Sequence, residues 1–184
     1  KDEYQILSNF SKTHGIELFA SPFDNQRLNW CIENGDNIIK IGYGVFRDRR
    51  EIANKAVESG KKVIVSIDPS KEDIIEPPYG SNKNVSYLLT SRKYPTLLNE
   101  IELPFKFSDT IFQGYSDHCP GISACLVAIT RGAEIIEKHF TQSTAWQKVG
   151  EMGHTGGMEA SDLKLLRKLE RELRLVINSN LKCF

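Results

Sequence analysis

Two short runs hold the residues best able to do chemistry. One reads Gly114-Tyr115-Ser116-Asp117-His118 and the other Ile136-Glu137-Lys138-His139-Phe140. Each reads as the end of a β-strand, and a small-residue helix over about 121–130 separates them. In parallel α/β sheets the chemistry collects at the carboxyl ends of the strands, so ionisable groups crowded there predict an active site. Side chains alternate along a strand, which puts Glu137 and His139 on one side and Lys138 on the other. Facing inward, Glu137 and His139 would be acid–base or metal-site groups. The His118 imidazole is either a ligand for a borderline metal such as manganese or a satisfied histidine bonded to Asp117. Asp117 orients His118 or caps the next helix near Pro120-Gly121; the sequence leaves both open.

Other candidates lie earlier and later. Lys40 falls mid-strand, where an unpaired ammonium is costly to bury, so it must meet an anion, solvent or a structural carboxylate. Ser21 and Ser66 end strands, where a hydroxyl donates to a ligand oxygen or serves a cap or turn. Ser91 is a weaker case of the same kind. His154 sits in a Gly153-His154-Thr155-Gly156-Gly157 loop within reach of substrate. Cys119 beside His118 invites a nucleophile reading, which nothing else supports. Gly42-x-Gly44 lacks the third glycine of a dinucleotide fingerprint.

The elements that must position these groups follow a β–loop–α rhythm. Strands are expected over 16–20, 37–41, 62–67, 85–91, 111–116 and 134–140, starting roughly every 20–27 residues. A first helix over 1–14 places Tyr4, Leu7 and Phe10 on one face. Asp24 caps a second, with Leu28, Cys31 and Ile32 at helical spacing. A third holds Ile52, Ala53, Ala56 and Val57 and stops at Gly60. Residues 141–157 read as a long loop. Ser161 caps a last helix whose Leu163, Leu166, Leu169, Leu173 and Val176 predict a buried stripe. Six strands are too few for a closed eight-stranded barrel, so the chain is an open doubly wound sheet or a barrel without its first two strands.

Bulk composition narrows the partners. The 184 residues carry 24 basic and 24 acidic side chains, so a nucleic-acid backbone is not favoured. No run of about 18 apolar residues is present to span a membrane. The four cysteines form no Cys-x-x-Cys pair and read as free thiols, which suits the cytoplasm.

Residues 16–24 and 39–42, together with the two opening runs, resemble the third, fourth, seventh and eighth strands of the sialic acid synthase family (N-acetylneuraminate synthases and relatives). Residues 154–163 are similar to the stretch that opens that family's last helix. The resemblance implies a TIM (β/α)8 barrel domain over 1–184, of which this chain supplies roughly strands three to eight. The first two strands and the antifreeze-like domain of many members would be missing. It implies a carbon–carbon bond-forming transferase that condenses phosphoenolpyruvate with an open-chain amino sugar into a nonulosonic acid. Lys40, Ser21 and Ser66 would hold the phosphoenolpyruvate anion, Asp117 and His154 would meet substrate, and Glu137 and His139 would move protons. His118 would help hold a divalent metal, manganese or magnesium. The sequence departs from the family where serine, glycine and glutamate become Tyr43, Gly44 and Val45. It departs again at the second metal-ligand position, Leu89, because a leucine cannot ligate. The rival reading is a barrel without catalysis, or with altered function, that binds a phosphorylated ligand or serves as a structural partner. A piece with two open sheet edges is expected to form a homo-oligomer.

Overall fold

The strands pair in parallel, and helices lie between several of them. The computed structural model describes residues 2–71, 74, 76–91, 93–146 and 156–180. Their contacts divide the chain into two units, Lys1–Ile67 with Pro77–Tyr87, and Asp68–Glu76 with Leu88–Phe184.

The first unit begins with helix α1 (Asp2–Thr13). Asp24 then starts α2 (Asn25–Glu33) as expected, its carboxylate accepting from the Arg27 amide at 2.8 Å. Strand β1 (Ile38–Ile41) pairs with β2 (Lys62–Ile67), Ile41 opposite Val65. Between them lie α3 (Tyr43–Asp48) and α4 (Arg50–Glu58). The expected helix holding Ile52, Ala53, Ala56 and Val57 is α4; α3 precedes it unannounced and is separated from it where Arg49 takes φ −138°, ψ 54°, outside the helical region. The buried face is apolar, as a parallel sheet covered by helices requires, with Ile39, Ile41, Phe46, Ala53 and Val65 wholly or nearly inaccessible. Arg50 lies over the Phe46 ring at 3.5 Å. Cys31 is buried, and burial next to Asp36 pushes its thiol up to about 11.

One expectation changes here. Residues 16–20 form no extended strand; a lone bridge joins Ala20 to Ile39, and the Lys40 amide donates to the Ala20 carbonyl at 3.0 Å. Leu7 and Phe10, expected to share one face of α1, are 56% and 62% exposed. Helical periodicity finds the apolar face of α1, and in this chain little covers that face.

The second unit takes the end of β3 (Val85–Thr90), β4 (Gly114–Asp117), α5 (Ser123–Thr130), β5 (Ile135–Lys138) and α6 (Ala160–Asn180). Leu88 pairs with Gly114, and Gly114 with Ile135. Gly114 is there because β5 comes too close for a side chain: an added Cβ would lie 2.0 Å from the Ile135 carbonyl oxygen. Elsewhere a glycine-to-alanine change in a strand is neutral or mildly favourable. Gly114→Ala is expected to cost about 3 kcal/mol by forcing the strands apart, read as a lower urea midpoint with unchanged slope.

Leu166 packs with Cys125, Ile129 and Met158. The long buried stripe expected on α6 is confined to that region, since Leu163 and Val176 are 38% and 56% exposed. Packing against α5, not periodicity, decides which leucines are covered. Among the described residues no helix is long and apolar enough to cross a membrane.

Candidate active site

In the first unit, Lys40 projects from β1 and its Nζ donates to Ser66 Oγ at the end of β2, at 2.7 Å, and to the Ile41 carbonyl at 3.2 Å. Ser66 is buried. Ser21 is exposed, and its Oγ lies 3.8 Å from where a Cβ on Gly42 would sit. The three residues expected to hold an anion therefore belong to one unit, with the Lys40 ammonium on the Ser66 hydroxyl and Ser21 just beyond the Ala20–Ile39 bridge. Such a group of donors suits a carboxylate or phosphate. Tyr43 and Val45, where the family has serine and glutamate, belong to α3 and are buried in the core. They offer no carboxylate.

In the second unit, alternation sorts the side chains of β4 and β5 onto two faces. Ser116 and Glu137 are register partners, and the Ser116 hydroxyl donates to the Glu137 carboxylate. On that face His118 and His139 meet edge to face with ring centroids 5.5 Å apart. Tyr94 stacks on His118 at 3.9 Å and reaches His139 at 5.7 Å. The sharing of one face by Glu137 and His139 is what their spacing predicts. Tyr94 and Ser116 are additions. Ser116 has the same parity as His118 and could have been found that way, whereas Tyr94 arrives from a loop and carried no such signal.

His118 Nδ1 lies 2.8 Å from the Ser91 carbonyl. A carbonyl only accepts, so Nδ1 carries the proton and Nε2 is the free base nitrogen. Burial holds the His118 pKa below its ordinary value, opposed by the Ser91 carbonyl and by Glu137. Burial, with Glu137 nearby, pushes the Tyr94 hydroxyl up to about 12, so Tyr94 is a neutral donor at pH 7. Ser91 thus contributes its carbonyl to this face; its hydroxyl accepts from the Lys93 amide at 3.4 Å.

Asp117 lies on the opposite face. It caps no helix there, since α5 starts after Ile122 with no side-chain cap. Asp117 is fully buried toward α5 and pairs with Lys138 at 2.7 Å, both side chains inaccessible. The cause is register: Asp117 and Lys138 are Cα partners with the same parity. Cys119 is buried beside them, and burial together with Asp117 pushes its thiol up to about 11, the reverse of a nucleophile. His154 lies outside the described residues.

Polar groups at the ends of parallel strands, with helices packed beside them, define an α/β protein built on a parallel sheet. The chain belongs to the NeuB family, whose model matches residues 1–182. It is 28% identical over 183 residues to the N,N'-diacetyllegionaminic acid synthase of Campylobacter jejuni, covering 94% of this chain and 54% of that protein. It is 25% identical to the human N-acetylneuraminate-9-phosphate synthase, covering 95% and 49%. The crystal structure of an N-acetylneuraminic acid (sialic acid) synthetase from Leptospira borgpetersenii, in complex with citrate, superposes with a TM-score of 0.79 at 27% identity, covering 96% of this chain and 63% of that one. The chain spans about half the length of the curated relatives it matches.

Proposed function

We propose that the chain is part of a nonulosonic acid synthase that condenses phosphoenolpyruvate with an open-chain amino sugar, and that it supplies strands three to eight of a (β/α)8 barrel. The observation that carries this reading is Lys40 Nζ at 2.7 Å from Ser66 Oγ on neighbouring strand ends. An ammonium beside a hydroxyl favours a dense anion such as phosphoenolpyruvate. In the reaction the enol carbon attacks the sugar aldehyde, water adds at the adjacent carbon, and phosphate leaves. The aldehyde oxygen must gain a proton as the new bond forms. Glu137 and His139 are the groups assigned to that transfer, with Tyr94 as a neutral hydrogen-bond donor beside them. His154 retains its expected role at the substrate.

The donor set does not fit the divalent metal implied by the resemblance. Among the described residues no three histidine, cysteine or carboxylate groups lie close enough to hold one. His118 offers Nε2, while the second ligand position is the buried, apolar Leu89. No step is therefore routed through manganese or magnesium. Association of several copies remains part of this reading, supported by the exposed apolar side chains of α1.

The test is phosphate release from phosphoenolpyruvate on adding N-acetylmannosamine. Release that depends on both compounds is the expected result. No release above the sugar-free control sinks the condensation. The loss of the carboxylate at Val45 favours a second reading, a barrel that only binds a phosphorylated ligand; phosphoenolpyruvate binding without phosphate release would select it.

A further inference from the structure

We propose that the buried Asp117–Lys138 pair is a positioning device that clamps the Cys119 peptide and thereby sets the His118 ring against Tyr94 on the opposite face of β4. The contacts converge on one residue. Asp117 Oδ1 accepts from the Cys119 amide at 2.9 Å, and Lys138 Nζ donates to the Cys119 carbonyl at 2.5 Å. Asp117 Oδ2 accepts both from Lys138, at 2.7 Å, and from the Cys125 thiol of α5, at 3.2 Å. Both backbone ends of the residue after His118 are thus held by two side chains that are themselves inaccessible.

His118 is fixed from its other side as well. Its carbonyl accepts from the Thr96 amide at 3.1 Å, and Nδ1 holds the Ser91 carbonyl. Gly156, at φ +89°, lets the chain pass so close that an added Cβ would lie 3.0 Å from the His118 carbonyl oxygen. The ring is left in one pose, 3.9 Å from Tyr94 with 34° between the planes.

Stability alone does not account for an ion pair in this place. Taking both charges out of water costs about as much as their attraction returns, and an apolar pair of similar volume does as well or better. What the pair adds is direction. It holds two backbone groups of one residue at fixed points, which an apolar pair cannot do.

The proposal rests on the synthase reading only for what His118 does, not for how it is held. The test is therefore spectroscopic, on the intact labelled chain. Tyr94 shifts the His118 ring protons by its ring current, and Tyr94→Leu defines their position without the stack. In the charge-neutral variant Asp117→Asn/Lys138→Met those protons are expected to move at least halfway to the Tyr94→Leu position. Unmoved His118 protons in the folded double variant overturn the proposal. If the double variant does not fold, Asp117→Asn alone, which keeps an acceptor for the Cys119 amide, is expected to give a smaller displacement of the same sign, and none overturns it. In the unaltered protein the Cys119 amide is expected to exchange at least about 100-fold more slowly than a free amide; exchange at the free rate also overturns it. An inert chain with a displaced ring counts against the synthase reading alone. An active chain with an unmoved ring counts against this proposal alone.

Discussion

Lys138→Met lowers the unfolding free energy by about 3–5 kcal/mol, a large share of the roughly 5–15 kcal/mol that holds a natural domain together. The reason is the carboxylate left behind. Asp117 is completely buried, and without the ammonium the donors that remain to it among the described residues are neutral, the Cys119 amide and the Cys125 thiol among them. Neutral donors of this kind cannot replace the water shell of an anion. Removing the charge as well reverses most of the loss, because the variant Asp117→Asn/Lys138→Met buries no unpaired ion. The measurement is urea unfolding of three proteins: native, single and double variant. A single variant as stable as the native protein, or a double variant less stable than the single, contradicts the buried pair.

Lys40→Met weakens phosphoenolpyruvate binding by about 10- to 100-fold, the loss of one charge-assisted hydrogen bond of about 1.5–3 kcal/mol. Ser66→Ala removes a neutral hydroxyl, and about 1 kcal/mol corresponds to about fivefold. Ser66 is buried and Lys40 reaches it at 2.7 Å, so both changes act on one donor set. Calorimetry of the two variants against the native chain checks the order. Equal affinity in Lys40→Met, or a larger loss in Ser66→Ala, removes Lys40 as the anion holder. Native chain that takes up no phosphoenolpyruvate at millimolar ligand removes the whole group from the argument.

Much of the local structure was legible in the residues. Asp24 announces α2 because a carboxylate at that position satisfies a free amide of the first turn. Period-two spacing was enough to place Glu137 and His139 together. What escaped depends on relations between distant segments. The Asp117–Lys138 pair follows from a register between strands 21 residues apart, and register is invisible until the strands are aligned. Without it, Asp117 reads as a cap or a partner of its neighbour His118. Helix α3 was hidden by Gly42-Tyr43-Gly44, which looks like a turn, yet Gly42 only precedes the first helical residue. For Leu7, Phe10 and Val176 the spacing named a helix face and could not name what lies on it.

Three thiols described above turn the chain into its own gauge of opening. Cys31 is buried in the first unit, Cys119 and Cys125 in the second, and burial holds all three thiols in their protonated form at neutral pH. An alkylating reagent attacks thiolate, so it marks these side chains only when their surroundings come apart. Peptide-resolved mass spectrometry then times the loosening of each unit separately, on the native sequence, with no residue introduced.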